Sequence, residues 1–388
     1  MHSRGDELSI VRKARSETQK HALAEIHDDI LFLILEKLEW IDLIRARTVC
    51  KKWLQQITKI PFQGKFPWLF SHAIWDMVAS SKVKLTDESS NRSYIIESGQ
   101  NLFDAQFCAS KFGWILMMSQ KSGKKPTQLF KFFIYCPFNY KFMKLPSFSS
   151  DTAELLTYSR IRNWTFSSNP TLPDCVFFVI FGYLQSQTIE IRTCSQINLS
   201  IKYATFTVEC LNGLLYVVLL SDNTANVEGD PVLNSRVGTF DPESQEWKLI
   251  KNEKGSIKSN GKIVKTLICS WTVFPALYNN KELYLVRRIE HDGVWDIFKY
   301  DMEENQWVEH PSLGNRVLFL GCSSFLVEAV GKLSNVANNA FLSYDRLPLY
   351  PYSFSSRKIE TNGKFYVDDY RSFEFGKFYD TAWIIPTI

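Results

Sequence analysis

No two glycines are adjacent anywhere in these 388 residues, so the paired glycines of a kelch-type repeat are missing. None of the eight cysteines stands in C-x-x-C spacing and the six histidines are scattered. A structural zinc site draws its ligands in close pairs and is therefore not expected. There is no G-x-S-x-G elbow and no H-E-x-x-H helix, which removes two common hydrolase chemistries. Charge of one sign is also lacking: 45 basic side chains face 41 acidic ones, and the small basic excess lies in the first 66 residues. A nucleic-acid interface needs a clustered basic face, so none is expected. The longest apolar run, Cys175 to Leu184, is interrupted by Gly182 and is too short to span a membrane. Charged residues come early (Arg4, Asp6, Glu7) where a secretory signal would have an apolar core. Unpaired cysteines inside apolar runs read as buried free thiols in a reducing compartment, which places the chain in the cytosol or nucleus, with no membrane, metal or cofactor expected.

What is present is concentrated first in Ile26 to Trp53, read I-H-D-D-I-L-F-L-I-L-E-K-L and then E-W-I-D-L-I-R-A-R-T-V-C-K-K-W. Ile26, Ile30, Ile34 and Leu38 recur every fourth residue and predict one apolar stripe on a helix. Asp28 and Asp29 fall where a first turn favours negative charge. A second short helix is expected to open near Asp42 as its cap, with Leu43, Val49, Cys50 and Trp53 as apolar contacts. Such a unit holds roughly forty residues, a size at which a domain struggles to stand alone. So much apolar surface on so small a unit calls for a partner.

The segment resembles an F-box. The carrying residues are Asp29-Ile30, Ile34-Leu35-Leu38, Asp42-Leu43-Arg45-Arg47 and Val49-Cys50-Lys51-Trp53, in the family's order. One departure is His27, where the family has proline, a residue that presets the backbone at a helix start.

After Trp53 the texture changes. Residues 54–75, with Pro61, Pro67 and several aromatics, read as a connector. From about Phe107 the chain is a series of short apolar runs between turn residues, which predicts many short strands. Asp151 to Tyr158 and Trp271 to Tyr278 are ambiguous between helix and strand.

Two hairpin units recur. One is a strand ending in an aromatic, a turn, and an aromatic six residues past the turn's first residue: Phe133 to Phe142, Val237 to Trp247 and Ile297 to Trp307. Asp241 and Asp301 are placed to bond their own turns, with Trp247 and Trp307 starting the returning strands. The other is a turn followed by an apolar strand, at Phe112, Leu211, Tyr278 and Thr361. Alternating hairpins of two types are what propeller blades look like, and about 300 residues at roughly 45 to 50 per blade make six or so blades. Trp295-Asp296 is a bare dipeptide inside a strand, not a WD-repeat ending.

This region resembles the propeller found behind plant F-boxes and called KIB-type. The resemblance rests on the D-P-x-x-x-x-W turn, Val317-Leu318-Phe319-Leu320-Gly321, Phe365-Tyr366-Val367-Asp368-Asp369 and Trp383-Ile384-Ile385-Pro386. The expected architecture is mainly β: a disordered tail over 1–24, a small all-α F-box over 25–66, and a β-propeller of about six blades over 67–388.

Catalytic candidates fail one by one. Gly255 to Lys262 has one residue too many for a phosphate loop, and Ile263 stands where Ser or Thr should hold magnesium. Asp368-Asp369 and Glu303-Glu304, read as strand neighbours, point to opposite faces. Lys121 to Pro126 reads as a solvated basic turn. No catalytic, cofactor-binding or metal-binding residue is assigned. The resemblance implies borrowed chemistry. The F-box would hold a Skp-type adaptor and, through it, a cullin/RING ligase, while the propeller presents a target protein for ubiquitination. The adaptor face would draw on Ile26, Ile30, Ile34, Leu38, Leu43, Val49, Cys50 and Trp53, some of which must instead hold the helices together, with Arg45 and Arg47 on its rim. Two alternatives stand beside this reading: a cullin-independent F-box scaffold, given His27, and a propeller enzyme or glycan-binding module, given the many aromatics, which weak binding of a small ligand in the central channel would favour.

Overall fold

A computed structural model describes residues 26–60, 66–73, 82–87, 90, 92–97, 102, 105–121, 128–146, 148–150, 161–183, 188–192, 201–202, 205–222, 233–250, 273–278, 281–289, 294–310, 312–321, 323–342, 355–358, 365–366 and 379–385. The chain separates into two compact units, residues 1–62 with 387–388, and residues 63–386. The tail expected over 1–24 lies outside the described residues.

The described part of the first unit is helical: α1 (Asp28–Lys37), α2 (Trp40–Ala46) and α3 (Lys51–Ile57). Asp28 and Asp29 occupy the first turn of α1 and Lys37 the last, the polarity that suits the helix dipole. One expectation is corrected. Glu39, not Asp42, is the N-cap of α2, because the helix opens at Trp40. Asp42 lies inside the first turn and accepts from the Arg45 guanidinium at 3.1 Å. Leu31, Leu35, Leu43, Ala46, Ile57 and Ile60 form the buried interior.

The described strands of the second unit group into blades of four main strands, paired antiparallel in the first five. The expected connector is shorter than 54–75, since α3 runs to Ile57 and Trp68 already begins a strand. Phe66 belongs to this unit's core, edge-on to Phe319 and Phe341. The first blade holds β1 (Trp68–Ala73), β2 (Lys82–Asp87) and β3 (Arg92–Glu97). In β2 the alternation K-V-K-L buries Val83 and Leu85 and exposes Lys82, the period-2 signature of a half-buried strand. The second blade runs β4 (Ala105–Lys111), β5 (Trp114–Lys121), β6 (Gln128–Cys136) and β7 (Lys141–Lys144), with β8 (Phe148–Ser150) also on β6. The third runs β9 (Ile161–Phe166), β10 (Phe177–Tyr183), β11 (Thr188–Arg192) and β12 (Ile201–Lys202).

In the fourth blade lie β13 (Thr205–Leu211), β14 (Leu214–Asp222), β15 (Leu233–Asp241) and β16 (Glu246–Leu249). The fifth has β17 (Val273–Tyr278), β18 (Glu282–Ile289), β19 (Val294–Asp301) and β20 (Gln306–Glu309). The ambiguous stretch at Trp271 to Tyr278 is thus a strand where described; Asp151 to Tyr158 lies outside the described residues.

The sixth blade departs from simple succession. It uses β21 (Arg316–Leu320), β22 (Ser324–Glu328), β23 (Asn339–Leu342) and β24 (Ser355–Lys358), ordered β22-β21-β23-β24. Its inner strand β22 pairs in parallel with β17 of the fifth blade. A 3-10 turn at Gly331–Val336 lets β23 lie parallel to β21. A short β25 (Phe365–Tyr366) returns to β19. The last strand, β26 (Tyr379–Ile384), pairs antiparallel with β1, Trp68 opposite Ile384, and so supplies the inner strand of the first blade. Among the described residues that closure gives six blades, the fifth and sixth continuous through β17 and β22 as one nine-stranded sheet. Trp383 is fully buried against Phe66, Phe319 and Phe341 at this seam.

The repeated turns fold as their chemistry dictates. Tyr135 faces Phe142, Phe240 faces Trp247 and Tyr300 faces Trp307 across the outer strand pairs. Asp241 accepts from the Glu243 amide and the Ser244 hydroxyl, both at 2.9 Å, and Asp301 accepts from the Glu303 and Glu304 amides at 2.9 and 3.1 Å. Glu303 and Glu304 therefore sit in a turn, which corrects their reading as strand neighbours.

Candidate functional site

The helical unit is apolar on two sides. Leu31 and Leu35 point inward from α1, whereas Ile30, Leu33 and Ile34 are 52%, 55% and 44% exposed. These three sit at i, i+3 and i+4, so they make one patch. Val49 and Leu54 are exposed as well. Of the eight expected docking residues, Ile30, Ile34 and Val49 are exposed; Ile26, Leu38, Cys50 and Trp53 are half-buried; Leu43 is fully buried and is a packing residue. The helix spans only Asp28–Lys37, so Ile26 and Leu38 flank its ends. The sequence reading missed Leu33 and Leu54; the i+3 spacing of Leu33 from Ile30 was the signal for the first.

Polar contacts fix the inner side. Lys52 of α3 pairs with Asp28 of α1 at 3.0 Å and donates to the Ile26 carbonyl at 2.5 Å. Gln56 donates to the other Asp28 oxygen at 2.7 Å. The hydrogen bond and charge from Lys52 hold the Asp28 carboxyl below its ordinary value. His27, at the family's proline position, is the N-cap of α1 with φ −58°, the angle a proline ring imposes.

Among the inner strands lies a buried polar hub that sequence reading did not find. Glu209 of β13 accepts from Lys111 of β4, from the Thr165 hydroxyl of β9 at 2.9 Å, and from the Cys210 amide at 2.8 Å. Next to it, the Ser110 amide donates to the Ser323 hydroxyl at 2.8 Å, and the Ser110 hydroxyl to the Trp383 carbonyl at 2.6 Å. Ser110, Thr165, Glu209 and Ser323 are all buried. Five of the six described blades thus contribute a group bonded to Ser110, Lys111 or Glu209. Burial pushes the Cys210 thiol up to about 12, as suits an inert packing cysteine. Cys50, Cys108, Cys136, Cys175 and Cys210 are free; the other three cysteines lie outside the described residues.

No group of three or more His, Cys, Asp or Glu placed to hold a metal occurs among the described residues. No described helix is long and apolar enough to cross a membrane. Gly255 to Lys262, Asp368-Asp369 and most of Lys121 to Pro126 lie outside the described residues.

The sequence pattern of the KIB1-4 beta-propeller family matches residues 82–366, more than half of the chain. The chain belongs to this family. The F-box domain pattern matches residues 23–63, directly ahead of the KIB1-4 propeller. An F-box/kelch-repeat protein of Arabidopsis thaliana is 24% identical over 383 residues, covering 96% of each chain. The Arabidopsis F-box/kelch-repeat protein KIB1 is 30% identical over 115 residues, 29% of this chain and 30% of its own length. Among solved structures, the β-propeller domain of the Trilobed protease from Pyrococcus furiosus matches at 8% identity with a TM-score of 0.33, over 61% of this chain and 66% of that one.

Proposed function

We propose that this chain is the target-recognition subunit of an SCF-type ubiquitin ligase, its F-box helices holding a Skp-type adaptor and its KIB1-4 propeller binding the protein to be ubiquitinated. The observation that carries the reading is the exposed Ile30, Leu33 and Ile34 face on a unit whose interior is already filled by Leu31, Leu35 and Leu43. A contiguous apolar patch with no interior left to join marks a protein contact. Transfer chemistry on this reading comes from the assembled ligase. The chain supplies proximity, which raises the effective concentration of a target lysine by orders of magnitude.

The test is co-expression of the full chain with a Skp-type adaptor, followed by size-exclusion chromatography and a cullin pull-down. A one-to-one complex that Ile34→Asp abolishes, with folding unchanged, is the expected result. Adaptor retained without cullin points to the scaffold reading. No complex with the unaltered chain removes the ligase assignment.

A further inference from the structure

The hub fixes the direction of the inner strands. Ser110 and Lys111, at the end of β4, reach Trp383 near the end of β26 and Glu209 near the end of β13; Thr165, near the end of β9, reaches the same Glu209. These strands therefore run toward one face. In an antiparallel four-stranded blade, that face also receives the connections from first to second strand and from third to fourth. In the second and fourth blades the first of these connections is a two-residue turn, Phe112-Gly113 or Asn212-Gly213, with positive φ at both positions.

The third blade differs. Between β9 and β10 stands a loop from Ser167 to Val176, and it is internally braced. The Ser167 amide donates to the Val176 carbonyl at 3.0 Å and the Val176 amide to the Ser167 hydroxyl at 2.8 Å. Asn169 accepts from the Thr171 amide and hydroxyl at 3.1 and 3.0 Å, and the Cys175 thiol donates to the Ser168 carbonyl at 3.2 Å. Pro170 is buried at its base, while Leu172 is 49% exposed at its tip. A stiff loop that holds a leucine in water loses little entropy when that leucine is covered.

The end of β17 lies at the same level, since Ala276 pairs with Ser324 beside the Ser323 that Ser110 reaches. The third-to-fourth connections of the second and fifth blades therefore bring two more exposed apolar side chains to this face, Tyr140 and Met302. Exposed carboxylates lie on the same connections: Asp174 two residues after Leu172, Glu243 on the fourth blade, and Glu303 and Glu304 directly after Met302. Lys141, Lys281 and Arg92 are the exposed cations of these described connections and their first flanking residues, fewer than the exposed carboxylates Asp174, Glu243, Glu246, Glu303 and Glu304.

We propose that this face, centred on the Leu172 loop, is the target-docking surface, and that it takes a basic protein segment in which Lys or Arg flanks an apolar side chain. The proposal rests on the reading of the chain as a target-recognition subunit and names the chemistry of the target. Leu172 and Met302 supply apolar contact, and the surrounding carboxylates steer and orient the basic residues.

The probe is a random dodecapeptide phage library panned on the immobilised full chain, with Leu172→Asp and the double variant Glu303→Lys/Glu304→Lys alongside. Enriched peptides are expected to combine Lys or Arg with Leu, Ile, Met or Phe. The best of them, made synthetically, is expected to lose at least tenfold in affinity to either variant and to weaken with added salt. Enriched peptides without basic residues, equal affinity for variants whose thermal midpoints match the parent, or no enrichment at all would each overturn the proposal. If Leu172→Asp fails to fold, the glutamate pair decides. Adaptor binding is measured on the same preparations. Peptide binding without adaptor binding removes the ligase reading and leaves the docking face; adaptor binding without peptide selection does the reverse.

Discussion

The hydroxyl of Ser110, on the inner strand of the second blade, donates to the main-chain carbonyl of Trp383, on the strand that closes the first blade, at 2.6 Å. Both groups are buried, so removing the donor deletes a hydrogen bond that water cannot readily replace. Ser110→Ala is expected to lower stability by about 1–3 kcal/mol, read from the urea midpoint of the full chain. An unchanged midpoint would mean that the seam holds through Trp383 packing alone.

Glu209 and Lys111 are a buried pair, with side chains 4% and 10% exposed. Breaking such a pair from one side leaves an uncompensated charge and costs roughly 3–5 kcal/mol, whereas replacing both ends by apolar groups is often close to neutral. Glu209→Ala is therefore expected to destabilise strongly and Lys111→Met/Glu209→Leu to recover most of the loss. A double-mutant cycle by chemical denaturation measures this. Additive losses would dismiss the coupling.

Gly238 of β15 lies beneath the indole of Trp247, and a methyl group there would collide with the ring. Gly238→Ala is expected to push Trp247 off Phe240 and cost about 1–3 kcal/mol. The shift should appear in tryptophan fluorescence as well as in thermal midpoint.

Because His27 already holds φ −58°, His27→Pro should be accommodated and should restrict the unfolded chain. The expected gain is about 0.4–1 kcal/mol for the helical unit, with adaptor binding retained. A loss of helix by circular dichroism would show that the residue's amide is needed.

Acid should act at the contact between the fifth and sixth blades. Burial, and then the charges of Lys299 and Arg316, lower the His310 value, so folding favours its neutral form and stability falls as pH drops through the ordinary value of 6.5. Burial opposes the ionised form of Glu282. Hydrogen bonds from Lys299 and Tyr284, together with the charge of Arg316, outweigh it and hold the carboxyl below 4.5. The contribution of Glu282 is present above that value and is lost as pH falls through the lowered one. Urea midpoints across pH are expected to decline in two stages, and His310→Asn should remove the first while leaving the second.

The sequence made legible what is local. The Asp241 and Asp301 turns, the aromatic pairs they set opposite one another, and the Asn212-Gly213 hairpin each depend on a few consecutive residues. The F-box order was readable for the same reason. The division of that segment was not, since Leu31 and Leu35 are as apolar as Ile30 and Ile34, and only packing tells inward from outward. The hub was out of reach, because Lys111 and Glu209 are 98 residues apart and neither sits in a motif. The order of the sixth blade was hidden too: its inner strand comes second among its four in the chain, whereas blades two to five begin with theirs.

Pairing of Trp68 with Ile384 has a consequence for biosynthesis. Translation delivers β1 early, yet its inner neighbour leaves the ribosome only after every other described strand of the propeller has been made. The first blade waits throughout with one edge open and Phe66 lacking the indole it packs against. A premature stop anywhere before residue 379 would release a product whose first blade lacks its inner strand and whose circle cannot shut.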